Sequence, residues 1–180
     1  MSITTGNNVY SVGDNGVVAD ARDIRLALVV HGPPRPQRRP HFRSTRSGGF
    51  RVFSPSVRQR NFLSGAIRGA LSHGGRVYFG RDIPLKMKLL FFMPRPLSHF
   101  VGGVRRVDCL REQFESNMSH NLKPDLDNLA KFVMDSLIGI AYEDDCQVYK
   151  LRLSKVYDNE RECKGRIAID IKPDVIDLTH

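Results

Sequence analysis

Apolar and polar positions alternate through "IRLALVVHG" (Ile24–Gly32), a β-branched stretch whose period of two predicts a strand. The "PPRPQRRPHFRSTRSGG" that follows has no apolar period, and its prolines exclude helix, so a basic loop is expected. "FRVFSPS" predicts a short strand, with Ser54 as an N-cap and Pro55 at the first helical position. In "VRQRNFLSGAIRGALSHGG" the spacing becomes helical: Phe62, Ala66, Ile67, Ala70 and Leu71 are expected in the core, and glycines end the helix. "IPLKMKLLFFMP" (Ile83–Pro94) predicts a second long strand, central in the sheet. A long basic connection comes next, with one helical turn expected around Leu110–Glu115. A second helix is expected over Leu126–Ile138, closed by Gly139. "CQVYKLRLSKVYD" and "GRIAIDIKP" predict two last strands, most simply a hairpin. The sum is an α/β (α+β) fold: one domain at residues 23–180, a mixed sheet with helices packed on it, and a basic insertion loop at about 97–123. Residues 1–22, rich in Gly, Asn and Ser, are expected to be a flexible tail.

At 180 residues the chain is long enough for one real core, and 41% hydrophobic content argues against wholesale disorder. No apolar run approaches the roughly 18–20 residues of a membrane span, so no membrane partner is expected. The first residues lack the basic start and apolar core of a signal peptide. Cys109, Cys146 and Cys163 show neither zinc spacing nor a disulfide framework, which points to a reducing, intracellular compartment rather than secretion.

Charge changes the picture more. The net charge is +9, yet between Asp23 and Asp82 there is no acid and no lysine, only twelve arginines from Arg25 to Arg81. That segment carries +12 and the rest of the chain −3. A scattered excess would be a soluble basic surface. An arginine-only block suits bidentate hydrogen bonding to phosphate, and nucleic-acid binding is predicted. Arg35, Arg38, Arg39, Arg43, Arg46 and Arg51 are the expected grip on the backbone. Phe42 and Phe50 among them fit either a wedge between bases or ordinary packing.

Against this basicity, six acids crowd between Asp125 and Asp145. Like charges repel, so a cation or basic partner is implied. On a helical wheel Leu126, Leu129, Ala130, Val133 and Leu137 share a face for burial, while Asp127, Asn128, Lys131 and Asp135 share an arc of about 100°. Asp125 at the N-cap and Asp127 in the first turn stand close enough to share one cation. Each acid alone fits a structural role, as a cap, a dipole partner or an Asp127–Lys131 pair one turn apart. Glu143, Asp144 and Asp145 lie at the mouth of the next strand, about 20 Å from the top of the helix if the loop turns at once. The clusters meet only if "GIAYEDD" runs back along the helix, and spacing leaves that open.

The stretch "KPDLDNLAKFVMDSLIG…AYEDDCQV…LRLSKVY" resembles the signature of the RusA-type Holliday junction resolvase family. The matching positions are Asp125, Asp127, Asn128, Leu129 and Lys131, then Asp135, then Asp144, Asp145, Gln147 and Val148, then Lys155. "GPPRPQRRPHF", "FRVFSPS" and "MPRPLSHF" resemble further family segments, so the likeness spans about residues 24–172. It implies a homodimeric Mg2+-dependent endodeoxyribonuclease, with Mn2+ able to substitute and no small-molecule cofactor. Its substrate would be branched DNA, cut at four-way junctions by symmetric phosphodiester hydrolysis in recombination and repair. By position the resemblance implies Asp125, Asp127 and Asp145 as the metal ligands and Lys131 as a residue required for cleavage. Carboxylates suit a hard divalent ion, whereas His or Cys would favour zinc. His120, alone near the motif, is expected in solvent. Asp144 and Glu143 fit a supporting position behind the ligands or a solvated turn; Asp135 and Asn128 are further supporting candidates, Asp135 by fixing Lys131 or by capping a neighbouring group. The long Val101–Asn121 connection and residues 1–22 depart from short members and leave substrate preference open. Competing readings are a flap or single-strand nuclease on the same scaffold, and a DNA-binding protein whose acids only cap a helix. A calcium module is disfavoured because "DLDNL" lacks the loop glycine and distal glutamate.

Overall fold

The computed structural model describes residues 3–5, 25–38, 41–44, 48–53, 56–74, 77–116 and 118–174. Its strands are β1 (Ile3–Thr5), β2 (Leu26–His31), β3 (His41–Ser44), β4 (Phe50–Phe53), β5 (Leu85–Met93), β6 (Val148–Tyr157) and β7 (Arg166–Pro173). The helices are α1 (Val57–Gly74) and α2 (Leu126–Leu137). One sheet has the order β1-β2-β7-β5-β6, and β3 pairs with β4 separately. All neighbours in the large sheet are antiparallel except β5 and β6, which are parallel. A parallel pair needs a crossover, and α2 lies in it. The expected single-domain mixed sheet with packed helices is therefore what forms.

Alternation buries one face of that sheet. Leu26, Leu28 and Val30 of β2, Leu85 to Met93 at every second position of β5, and Ile167, Ile169 and Ile171 of β7 join one core. Leu63, Ile67 and Leu71 of α1 and Leu129, Val133 and Leu137 of α2 pack onto that face. Lys86, Lys88, Leu90 and Phe92 turn the other way, as expected of a sheet solvated on one side. Phe62 is a correction: it is 64% exposed, because the core stripe on α1 runs one residue later, through Leu63. Ser54 and Pro55, expected to start this helix, lie outside the described residues.

The expected last hairpin does not form. β5 separates β6 from β7, pairing Phe91 with both Lys155 and Ile167. Residues 158–165 span the roughly 10 Å needed to step over one strand. Buried Asp158 ties that crossing together, accepting from the backbone N–H of Gly165 at 2.8 Å and bonding the Arg166 guanidinium. Gly165 has φ +93°, and a Cβ there would meet the Phe92 carbonyl at 3.0 Å and Pro33 at 3.2 Å, so the crossing requires glycine. Two further strands were not expected. Ile3–Thr5, within the presumed tail, pairs with β2, and His41–Ser44, within the presumed loop, pairs with β4.

The insertion at 97–123 packs rather than dangles. It contains short 3-10 turns, one at Glu112–Phe114 where a turn is expected. The His99 ring stacks on Phe114 at 3.9 Å and meets Tyr157 edge-on at 5.2 Å. Fully buried Arg95 lies 5.0 Å from the Tyr157 ring and donates twice to Asn159 Oδ1, at 2.6 and 2.9 Å.

Candidate active site

The turn that starts α2 is held from the sheet. Lys155 of β6 donates its ammonium to the carbonyls of Leu122 at 2.6 Å and Pro124 at 2.7 Å. Lys155 is thus a positioning group, a role the sequence motif alone does not give. Immediately after it, Asp125 occupies the N-cap with extended φ/ψ of −69° and 145°, but its side chain makes no capping hydrogen bond. The N-cap backbone carbonyl accepts from Leu129 N–H at 3.2 Å, so the helix starts without the carboxylate. Asp127 projects, exposed, from the first turn. Among the described residues no ion pair or side-chain hydrogen bond engages Asp125, Asp127 or Lys131. The Asp127–Lys131 pair that the spacing allows is not made.

Asp135 does not fix Lys131 either, because it faces α1. Its Oδ2 accepts from Arg60 at 3.2 Å and from the Gln37 side-chain amide at 3.1 Å. The Gln37 backbone N–H donates to the Asn128 carbonyl at 2.9 Å. These bonds clamp the arginine-rich 33–38 segment against α2, beside the Asp125–Asp127 turn. Arg38 is anchored there through its backbone N–H, which donates to the Ser56 hydroxyl at 2.8 Å. Among the described residues neither Arg35 nor Arg38 has an ion-pair partner. Arg43 lies directly opposite Arg51 in the β3–β4 register. Arg39 and Arg46 lie outside the described residues, as do the Phe42 and Phe50 side chains.

The second acid cluster is organised by Gln147, which is 6% exposed. Its Oε1 accepts from the N–H of Glu143 at 2.9 Å and Asp144 at 3.0 Å, while Nε2 donates to the Gly80 carbonyl at 2.7 Å. Asp144 caps the following 3-10 turn by accepting from Cys146 N–H at 2.9 Å, and that bond holds its carboxyl below the usual range. Glu143 faces Arg81 at 3.8 Å. Both are turn residues in this structure. The cluster sits against the second half of α2, where Tyr142 Oη donates to the Met134 carbonyl at 3.0 Å. Burial pushes the Tyr142 phenol up, and the nearby charges of Asp145, Asp135 and Asp144 push it further.

Asp125 and Asp127 both stand at the start of α2, with Lys131 one turn on. Asp145 opens the 3-10 turn Asp145–Gln147 that leads into β6. Among the described residues no three His, Cys, Asp or Glu side chains are grouped to hold a metal ion. His120 is a correction: its ring packs on Tyr157 at 4.8 Å, and burial lowers its pKa.

The comparisons agree with this architecture. A chain of Bacillus subtilis (strain 168) described as the uncharacterized protein YqaN is 27% identical over 135 residues, covering 75% of this chain and 89% of its own. The family model of endodeoxyribonuclease RusA matches residues 31–172, from the end of β2 through nearly all of β7 and across both acid clusters. By that match, this chain belongs to the RusA endodeoxyribonuclease family.

Proposed function

We propose that this protein is a divalent-metal-dependent endodeoxyribonuclease that resolves four-way DNA junctions as a homodimer. One observation carries the reading: among the described residues the two carboxylates at the start of α2 make no side-chain hydrogen bond or ion pair, although Asp125 occupies a position where a side-chain cap is normally found. Carboxylates left free beside an arginine-rich segment suit a hard cation facing phosphate. Asp125 and Asp127 would hold Mg2+, with Asp145 as the third ligand. A bound Mg2+ supplies an activated water and neutralises charge on the scissile phosphate. The Lys131 ammonium, without an ion-pair partner among the described residues, is available to charge developing on the phosphate oxygens. Arg35 and Arg38 hold the DNA backbone without reading sequence. Two nicks on opposed strands require two sites, and a two-fold dimer matches the symmetry of the junction.

The test is cleavage of labelled four-way, flap, duplex and single-stranded DNA with and without Mg2+. Metal-dependent paired nicks in the four-way junction are expected; preferential flap cleavage would replace this reading with the flap nuclease. Asp125→Asn, Asp127→Asn and Asp145→Asn should each slow cleavage about a thousandfold, from the several kcal/mol a metal supplies, with junction binding kept or strengthened. Because Asp125 makes no capping bond, Asp125→Asn should leave Tm unchanged. A substantial fall in Tm with cleavage retained would return Asp125 to the role of a helix cap.

A further inference from the structure

A cleft of about 1100 Å³ opens between α1, the end of β2 and the 158–165 crossing. Its floor is apolar: Leu63, Phe132 and Ile167, all buried, line it. Its three acids are engaged by two cations, Arg166 and Lys164. Asp158 bonds Arg166, Glu160 lies 3.1 Å from Arg166, and Glu162 pairs with Lys164 at 2.7 Å. Its arginines differ: among the described residues no ion pair engages Arg35, Arg58, Arg105 or Arg161. The cleft is therefore a positive rim over a hydrophobic base.

Phe62 stands in that cleft at 64% exposure. A single exposed apolar residue is ordinary. This one is four residues beyond Arg58, so the phenyl ring and the guanidinium are neighbours on one helix face, with Cβ atoms about 6 Å apart. Phe132 is one turn beyond Asn128, whose carbonyl anchors Gln37, so the cleft adjoins the clamped arginine segment and the start of α2. A flat apolar ring beside unpaired guanidinium groups matches one ligand chemistry, a base on a phosphate backbone.

We infer that this cleft takes an unpaired nucleotide of the DNA, its base stacked on Phe62 and its phosphates held by Arg58 and Arg35. The inference rests on the nuclease reading and adds to it a seat for a strand leaving the duplex at a branch. Such a seat favours branched over plain duplex DNA, because a base pair at a branch lacks an unbroken stack and costs less to open.

The chain contains no tryptophan, so Phe62→Trp places a lone fluorophore at the cleft. Oligothymidylate and a four-way junction with 2-aminopurine at the branch are the probes, in Mg2+-free buffer, with anisotropy reporting binding independently. The inference expects oligothymidylate to quench F62W emission at the concentrations that raise anisotropy. It expects Phe62→Ala to weaken oligothymidylate binding about tenfold, as for one lost stacked base, and to change the 2-aminopurine emission of the bound junction. Unchanged F62W emission at saturating anisotropy, with Phe62→Ala binding as wild type, overturns the inference and leaves the nuclease reading standing. Wild-type protein that neither binds nor cleaves junction DNA overturns both.

Discussion

Gln147 gives the sharpest test of how the second acid cluster is built. Gln147→Leu keeps the approximate volume and removes every polar contact of a side chain that is 6% exposed. Three firm bonds disappear: those from Glu143 N–H at 2.9 Å and Asp144 N–H at 3.0 Å, and that to the Gly80 carbonyl at 2.7 Å. Longer contacts to Ile83 at 3.3 Å and Phe79 at 3.5 Å go with them. At about 1 kcal/mol net per bond the loss is about 3 kcal/mol, and more if the freed backbone groups stay dry. That is a large share of a domain's typical stability of about 5–15 kcal/mol. For a chain of this size it corresponds to a Tm fall of about 6–12 °C. Urea denaturation followed by circular dichroism should show a lower midpoint with an unchanged slope. Gln147→Glu is the control, since it keeps the acceptor but aims a carboxylate at carbonyls. Burial and those carbonyls raise its folded pKa, so the native state binds more protons than the unfolded one. Its deficit should therefore shrink as pH falls through that folded pKa and the acid becomes a donor. A loss below about 1 kcal/mol in Gln147→Leu would refute the reasoning, because it would mean water replaces the glutamine at no net cost.

The remaining predictions concern pH, salt and assembly. Burial lowers the pKa of both His99 and His120, so the folded state prefers them neutral; stability should be full above about pH 6.5 and fall as pH drops below it, where the unfolded chain takes up protons first. Hydrogen exchange across 97–123 at pH 5 and 7.5 checks this, and equal protection at both would sink it. Junction affinity should fall steeply with salt, each phosphate contact contributing a slope of about −0.9 in log K against log salt. A nearly flat titration would mean that Arg35 and Arg38 do not touch the backbone. Light scattering without DNA should give about twice the 20.4 kDa chain mass. A stable monomer bound singly to junctions would favour flap cleavage over paired resolution.

What depends on local periodicity and side-chain chemistry was legible before any fold was known. The strands over residues 26–31 and 85–93, both helices and the buried stripe of α2 follow from apolar spacing, because burying a face demands that spacing wherever the element lies. The D-x-D-N-L-x-K and D-D-x-Q-V spacings carried the family, since few other chemistries need those residues in that order. Tertiary structure alone decided what depends on partners distant in the chain. Nothing local to 158–165 reveals that the chain steps over β5 instead of turning back as a hairpin; the choice lies in Gly165 fitting against Phe92 and Pro33. Phe62 and Leu63 are adjacent and equally apolar, so only the docking angle of α1 puts one in the core and the other in a cleft. Asp135 and Lys131 stand one turn apart in every helix, yet Arg60 and Gln37 take Asp135 because α1 and the 33–38 segment arrive on that side. An ion pair goes to whichever cation the packing presents, and packing is a property of the whole chain.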